Sequence, residues 1–372
     1  MQGSSRYIPG CSKEELNIFF IFSHFKTFFT QVRYMIEING AHGEGGGALL
    51  RVSAALSALK LQPFHMTKVR AGRPKPGLMP QHLHALKLLQ DMSSATCTDI
   101  QIGSQEFYFK PESRTGGNYH VDVATAGSTT LILQAAMIPA SFADTTVTLT
   151  LRGGTDVKWA PPVDYLKHVT LPILHSLGCR ADVQVKRRGH YPRGGGILRA
   201  EINPVKKLKP VTLLESEFNS IKGVSHCVNL PEHVAVRQAE SARKVLRSAG
   251  YSADIEIQHS TDEIGPGSAI VLWTDGKTPL GGSSIGEPRK RAELVGKNAA
   301  EELLHHISGG AALDRYMGDQ IVPYMALAGK SHVKTAELTQ HTLTNIYAAE
   351  KFTGKTFHIL GDLGQPSEII VD

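Results

Sequence analysis

The chain has 372 residues, of which 41% are hydrophobic and 20% are charged, a composition that excludes a disordered protein and fits a globular one. Its 40 Lys and Arg against 34 Asp and Glu leave a net charge of +6, which favours a polyanionic partner without identifying it. The four cysteines lie far apart, so they provide neither a CxxC zinc pair nor a dense disulfide framework, and a reducing compartment is expected.

The first 34 residues are predicted to be a flexible appendage. Their most apolar stretch, residues 16–29, is interrupted by His24 and Lys26, and it is too short and too polar to span a membrane. No small-residue cleavage site follows this stretch, so we do not interpret it as a signal peptide. The sequence therefore predicts no membrane association.

From Met35 onward, a polar or glycine-rich turn before an amphipathic helix recurs three times. The predicted helices are 48–61, 129–139 and 340–352, and the predicted strands around them are 35–38, 121–124, 146–151, 333–337 and 356–360. This repetition predicts an α/β (α+β) fold in which three repeated α/β units form one large domain.

The segment from 205 to about 280 has a different pattern and is flanked by glycine clusters. After a lysine-rich entry, it contains a strand at 219–228, a helix at 233–249, and strands at 253–258 and 269–274. We predict an inserted smaller α/β domain at 199–281, with the catalytic domain formed by 35–198 and 282–372. The basic run 289–291 that follows is interpreted as a solvated helix start.

A glycine-rich turn at residues 43–47 opens the first predicted helix. Free backbone N–H groups and the helix dipole favour a phosphate at such a position. The turn lacks both the Walker ending and the Rossmann spacing, and a tight turn without ligand is the plain alternative. Glu44 is the exception, because an acid among four glycines has no packing role and is able to hold a metal ion through a hard oxygen.

A basic loop at residues 70–77 holds three cations on a chain stiffened by two prolines. Arginine side chains match phosphate oxygens in a bidentate way, and Gln81 follows at the start of a helix. The alternative is a solvated basic turn, for which lysine would serve as well as arginine does.

His341 is one of 17 histidines, and a histidine before an apolar helical run is usually a surface or cap residue. Its neighbours Thr339, Thr342 and Thr344 are small polar partners that favour a functional role. Upstream, Asp319 offers a carboxylate to a metal ion or an imidazole, and a helix-terminal acid is the alternative. The pattern alone leaves both possibilities open.

Several blocks of residues occur together and in a characteristic order. These blocks are Gly43-Glu44-Gly45-Gly46-Gly47 with Leu50-Arg51, Arg70-Ala71-Gly72-Arg73-Pro74-Lys75-Pro76-Gly77-Leu78, Gln81-His82-Leu83, Ala126-Gly127-Ser128 with Leu133-Gln134, Gly153-Gly154-Thr155-Asp156 with Ala160-Pro161-Pro162, Tyr191-Pro192 before Gly194-Gly195-Gly196, Asp319-Gln320, Met325-Ala326-Leu327-Ala328, and His341 before Thr344-Asn345. Through them the chain resembles the RNA 3′-terminal phosphate cyclases from about Met35 to His358.

The resemblance implies a large domain of three repeated α/β units with a smaller inserted α/β domain. It also implies a reaction in which a histidine Nε2, here that of His341, attacks the α-phosphate of ATP with Mg²⁺ or Mn²⁺ present. The resulting AMP would pass to an RNA 3′-phosphate, and the neighbouring 2′-OH would displace it to close a 2′,3′-cyclic phosphate. Such nucleophilic catalysis divides one difficult substitution into easier ones.

The same resemblance assigns roles to further residues. It places Gln134, Pro161, Tyr316, Asp319 and Gln320 in the adenylate pocket, Glu44 at the metal and triphosphate, Arg51 at a nearby phosphate, and Arg70, Arg73 and Gln81 at the RNA terminal phosphate. Glu44 and Asp319 are the expected metal ligands. The implied partners are ATP and RNA with a 3′-phosphate end, and no protein partner is identified.

Two alternatives compete with a cyclase. One is a non-catalytic cyclase-like protein of ribosome assembly, which shares the fold but lacks the histidine nucleophile, so His341 in its Thr/Asn setting favours the enzyme. The other is a carbohydrate or enolpyruvyl transferase, which also uses repeated α/β units but needs no histidine nucleophile. Because relatives from nucleated cells are often nuclear, the nucleus (nucleoplasm) is the expected location.

Overall fold

The computed structural model of the chain describes residues 34–98, 100–261 and 264–372, so the predicted appendage lies outside the described residues except for Tyr34. The strands are β1 (Ile36–Asn39), β2 (Phe64–Thr67), β3 (Thr96–Cys97), β4 (Phe107–Lys110), β5 (Gly117–Asp122), β6 (Val147–Gly153), β7 (Arg180–Arg187), β8 (Gly196–Asn203), β9 (Thr212–Leu213), β10 (Phe218–Val228), β11 (Ala253–Ser260), β12 (Gly267–Gly276), β13 (Gly281–Ile285), β14 (Ser331–Thr335), β15 (Phe357–Leu360) and β16 (Ser367–Val371). The helices are α1 (Gly47–Lys60), α2 (Pro80–Ser93), α3 (Thr129–Ala140), α4 (Val163–Tyr165), α5 (Leu171–Ser176), α6 (His233–Ser248), α7 (Ala292–Ser308), α8 (Arg315–Gln320), α9 (Val322–Ala328) and α10 (Gln340–Thr353), with a π-helical turn at Leu166–Thr170 between α4 and α5.

Within the described residues, three of the four sheets have one topology. Their strand orders are β1-β2-β4-β3, β5-β6-β8-β7 and β9-β14-β16-β15. In each sheet the first two strands are parallel, and the later strands pair antiparallel to them and to each other. This common topology confirms the predicted α/β fold of three repeated units.

The fourth sheet, β11-β10-β12-β13, interrupts the third unit between β9 and β14. Helix α7 belongs to this inserted layer, because its Val295, Ala299 and Leu303 pack with Ile221 of β10 and Ala239 of α6 in a separate apolar core. The sheet and its two helices therefore extend from 218 to 308, whereas the insert was predicted at 199–281. Strand β8, part of which lay in that predicted range, pairs with β6 and β7 of the second unit.

The main core lies where helices of the three units meet. Helix α1 packs against α2, α3 and α10, and its Leu49 and Leu56 are fully buried. Phe64 on β2 meets the ring of Phe352 on α10 edge to face at 5.7 Å. Since burying one such side chain contributes about 1.5–3 kcal/mol, this interface firmly joins the first unit to the third. No helix in the described ranges is long and apolar enough to cross a membrane.

Side-chain caps determine where three of the central helices begin. Ser128 accepts a hydrogen bond from the N–H of Leu131 at the start of α3, and Thr339 accepts one from the N–H of Thr342 at the start of α10. Asp314 accepts two N–H bonds at the start of α8. These caps satisfy backbone donors that would otherwise be unpaired, and each is worth about 1 kcal/mol.

Candidate active site

A cavity of about 1220 Å³ lies where the three units and the insert meet. Its walls include the first residues of α1 and α10, one face of α3, helix α8 and strand β13. Most of the predicted site residues line this cavity: Arg51, Arg70, Arg73, Gln81, Gln134, Pro161, Tyr316, Asp319, Gln320 and His341. The remaining predicted site residue, Glu44, does not line the cavity but contacts His341, which does.

His341 is the second residue of α10, and its orientation is set by Glu44. The imidazole Nδ1 lies 2.9 Å from Glu44 Oε1, while 46% of the histidine side chain is exposed. The hydrogen bond to Glu44 raises the pKa of His341, and the negative charges of Asp319 and Glu44 add to that effect against burial and Arg51. Because Nδ1 faces Glu44, Nε2 is the ring nitrogen left to meet a molecule in the cavity.

The glycine-rich turn brings Glu44 to this position. Gly43 and Gly45 have φ of +63° and +54°, in the left-handed region that favours glycine, and a Cβ on Gly43 would collide with Thr344 Oγ1. The carboxylate also accepts a 2.6 Å bond from Arg73 Nη2. Burial alone would raise the pKa of Glu44, but the hydrogen bond to His341 and the surrounding positive charges outweigh burial and lower it.

Asp319 and Arg51 are two further ionisable side chains that line the cavity. Burial, with the negative charges of Asp314 and Glu44, raises the pKa of Asp319 to about 7, although His341 and Arg51 oppose the shift. Burial lowers the pKa of Arg51 to about 10, which leaves the guanidinium protonated at neutral pH. The carboxyl of Asp319 therefore changes charge near neutrality, a property that is frequent at functional sites.

The predicted adenylate residues form one connected wall. Gln134 Nε2 donates to Gln320 Oε1 at 2.7 Å, and Thr170 Oγ1 donates to the same oxygen at 3.0 Å. The Tyr316 hydroxyl donates to Glu302 at 2.7 Å, so this ring is fixed in place. Pro161 lies in the same wall and accepts a bond from Thr130 through its carbonyl.

The predicted RNA-phosphate residues also have contacts within the protein. Arg70 Nη1 donates to the carbonyls of Lys75 and Gly77 at 2.8 Å each, and these bonds close the basic loop on itself. Gln81 Oε1 accepts the N–H of Ser128 at 3.1 Å, which joins the first unit to the second. These contacts hold the side chains at the cavity wall, and their action on RNA stays a prediction.

Other residues of the wall were missed by the sequence analysis. Lys290 was interpreted as part of a solvated helix start, yet it lines the cavity and donates to Ser284 at 3.0 Å. Trp159 also lines the cavity, with 94% of the residue exposed and a φ of +61°. The signal for Trp159 was its place beside the Ala160-Pro161-Pro162 block; for Lys290 no local pattern distinguished it from a surface cation.

The comparison with known families decides the assignment. Residues 42–359 match the family model described as RNA 3′-terminal phosphate cyclase.

The chain belongs to the RNA 3′-terminal phosphate cyclase family.

Relatives that are named as cyclases align with this chain over nearly their whole length. A protein from Methanothermobacter thermautotrophicus named RNA 3′-terminal phosphate cyclase is 50% identical over 337 residues, 91% of this chain and 100% of the relative. Proteins of the same name from Methanopyrus kandleri and Thermococcus onnurineus are 46% and 44% identical, each over 91% of this chain, and are covered to 98% and 99% of their own lengths. A solved EPSP synthase from Acinetobacter baumannii matches 91% of this chain and 63% of its own, with 10% identity and a TM-score of 0.27, too low for any argument about fold.

Proposed function

We propose that this protein converts an RNA 3′-terminal phosphate to a 2′,3′-cyclic phosphodiester with ATP, through a histidine-AMP intermediate on His341, and releases AMP and diphosphate. The observation that carries the proposal is the Glu44 carboxylate 2.9 Å from Nδ1 of His341, at the wall of a large cavity. The names of the relatives support cyclase activity.

In the first step, the neutral Nε2 of His341 attacks the α-phosphorus of ATP. The new N–P bond forms as the bond from that phosphorus to the bridging oxygen of diphosphate breaks, and the diphosphate leaves with the electron pair. The substituted imidazole carries a positive charge, which the Glu44 carboxylate stabilises through the Nδ1–H. Arg51, protonated beside the same carboxylate, is positioned to neutralise phosphate charge.

In the later steps, an oxygen of the RNA 3′-phosphate attacks the phosphorus of the AMP, and His341 leaves as neutral imidazole. The ribose 2′-OH then attacks the RNA phosphorus, loses its proton, and expels AMP. Arg70, Arg73 and Gln81 would hold the terminal phosphate during both steps, because arginine side chains give fixed, bidentate contacts to phosphate.

The proposed Mg²⁺ or Mn²⁺ fits the residues present. Such ions are usually bound by one or two carboxylates together with substrate phosphates, and Asp319 supplies a hard oxygen at this cavity. Glu44, the other expected ligand, would have to share oxygens that now contact His341 and Arg73. The raised pKa of Asp319, caused first by burial, marks a carboxyl whose negative charge a cation would stabilise. Bound there, the ion would neutralise phosphate charge in the first step.

Incubation of the purified protein with α-labelled ATP and magnesium or manganese tests the proposal. An acid-labile, alkali-stable AMP label on the denatured protein would indicate a phosphoramidate. A folded protein that takes no label would instead favour the non-catalytic ribosome-assembly function or a transferase. Nuclear location is kept as a prediction without support from the relatives, and imaging of the tagged protein tests it.

Replacing Arg70 and Arg73 together with alanine is expected to reduce cyclisation of a 3′-phosphate RNA by about 10²- to 10⁴-fold, since each charge-assisted contact contributes about 1.5–3 kcal/mol. Self-adenylylation is expected to fall by less than about tenfold. A small loss is expected because Arg73 also positions Glu44. Separate assays of labelled adduct and cyclic end measure the two activities. The matched control replaces Arg180 and Arg199, two exposed arginines of the second sheet. Equal loss of both activities would contradict the division of roles.

Trp159 is expected to stack on a base of the bound RNA. A bulky residue with positive φ is strained, and a fully solvated indole has no packing that explains the strain. Base stacking contributes about 1–3 kcal/mol, so Trp159→Ala should raise the KM for RNA about tenfold and Trp159→Phe should restore it. In Trp273→Phe, Trp159 is the one remaining tryptophan, so fluorescence quenching by RNA reports on it directly. Quenching by ATP alone would assign Trp159 to the nucleotide instead.

A further inference from the structure

A second group of buried polar side chains lies outside the active-site cavity. Asp156 follows β6, His190 follows β7, and His226 is on β10 of the insert. Within the described ranges, this is the one group of three or more His, Cys, Asp or Glu residues whose ligand atoms all lie within 4.8 Å of one another. We call these three residues the Asp156 cluster.

The distances in the Asp156 cluster match those between the ligands of one small metal ion. His226 Nε2 lies 3.3 Å from His190 Nε2 and 3.9 Å from Asp156 Oδ2. Two nitrogens bound to tetrahedral zinc at about 2.0–2.1 Å are separated by about 3.3 Å. Two imidazoles with one carboxylate form a ligand set that zinc commonly uses.

The cluster also contains buried polar atoms without a partner. Asp156 and His226 are 0% and 1% exposed. Asp156 Oδ2 accepts a 2.7 Å bond from Thr155, but Asp156 Oδ1 and His226 Nδ1 have no hydrogen-bond partner among the described residues. Because an unpaired buried polar atom costs about 1–3 kcal/mol, Asp156 Oδ1 is a candidate ligand, whereas Oδ2, the oxygen 3.9 Å from His226 Nε2, is already held by Thr155.

The surrounding charges favour a cation. Asp156 and Asp164 are both buried, and Arg188 is the cation that faces them. Its Nη1 lies 2.9 Å from Asp164 but 3.4 Å from Asp156, so Asp164 takes the closer contact. Two carboxyl groups thus face one guanidinium, and a cation bound at Asp156 would balance the second carboxyl group.

His190 and His226 are both buried, and their Nε2 atoms face each other at 3.3 Å. A separate cavity of about 330 Å³ borders His226, and its lining includes Asp164 together with the cations Lys167, Lys186, Arg187 and Arg188.

We propose that Asp156, His190 and His226 bind one Zn²⁺ ion, with water at the fourth position, and that this ion joins the insert to the second α/β unit. Two ligands come from the loops after β6 and β7 and one from β10, so the ion would link two parts of the chain that fold around separate cores. The site lies outside the active-site cavity, and the proposal is independent of the cyclase reaction.

The first test uses the unaltered full-length protein. After removal of metals with a chelator, titration with Co²⁺ should produce the strong visible absorption of tetrahedral cobalt, complete at about one equivalent, and Zn²⁺ should displace it. Added Zn²⁺ should also raise the melting temperature of the stripped protein. No visible band and no shift in melting temperature would overturn the proposal without reference to any variant.

Variants locate the ion. His226→Gln, His190→Gln and Asp156→Asn should each reduce the bound zinc, measured by elemental analysis, from about one per chain to near zero. His259→Gln, a histidine of the insert outside the cluster, should keep it. Glu44→Gln should also keep it, which separates this site from any metal in the active-site cavity. Zinc retained in His226→Gln would overturn the assignment, and the cobalt titration decides the question if a variant fails to fold.

Discussion

Replacing His341 with alanine is expected to abolish formation of the AMP adduct and, with it, cyclisation of RNA. Nε2 of this residue is the proposed nucleophile, and among the described residues no other histidine forms an ion pair with Glu44. Incubation with α-labelled ATP measures the amount of AMP adduct on the protein, which should fall to background. Because the side chain is 46% exposed, the change in the free energy of unfolding should stay within about 1 kcal/mol.

His358→Ala is the matched control, since this exposed histidine lies outside the cavity wall and contacts Asp372. It should keep full labelling, and both variants should melt cooperatively. A stable AMP adduct in His341→Ala would contradict the assignment of His341 as the nucleophile. Supplying pre-formed adenylylated RNA offers a second measurement, because the final ring closure needs no histidine and should persist in the variant.

Replacing Glu44 with glutamine is expected to slow adenylylation by about 10²-fold or more. The amide keeps the size of the side chain but removes the negative charge that orients Nδ1–H of His341 and stabilises the charged imidazole. Single-turnover labelling measures the rate. Glu37→Gln is the control, because this exposed carboxylate pairs with His65 away from the cavity. A rate within twofold of the unaltered protein would contradict the role of Glu44.

The pH dependence gives an independent measure of the same contact. Attack requires neutral His341, so the rate should rise as pH increases through a pKa that Glu44 holds above the ordinary histidine value. In Glu44→Gln that pKa should fall, and the rising limb should move to lower pH. Burial raises the pKa of Asp319 to about 7, so this carboxyl group also titrates near neutral pH, and Asp319→Asn removes its contribution to the pH profile. If the rising limb of the pH profile does not move in Glu44→Gln, the titration behind that limb belongs to another residue.

Local chemistry in the sequence was sufficient to predict most of the central helices. The helix predicted at 340–352 is observed at Gln340–Thr353, because Thr339 caps its start and Gly354, with a φ of +67°, ends it. Three of the predicted site residues, Glu44, Gln81 and His341, lie in or beside turns that open helices, and such turns meet at one face when similar units pack around a common core. This explains why a list of motifs predicted one cavity.

The boundaries of the insert were not accessible from local patterns. Strand β9 has two residues, too few for any periodicity, and it pairs with β14 more than a hundred positions later. Helix α7 has an ordinary amphipathic pattern, and only its packing against the fourth sheet shows to which layer it belongs. Pairing between distant strands depends on how whole units pack together, and a short stretch of sequence does not contain that information.

The sequence by itself determined the repeated α/β fold and the family to which the chain belongs, and it supplied the candidate site residues, whose roles stay predictions. Only the tertiary structure decided which atoms face each other: that Glu44 meets Nδ1 of His341, that Trp159 stands at the cavity, and that Asp156 and His226 face each other across two layers. The reason is physical. Propensity and caps act within a few residues, whereas these contacts join segments whose approach is fixed by the packing of separate cores.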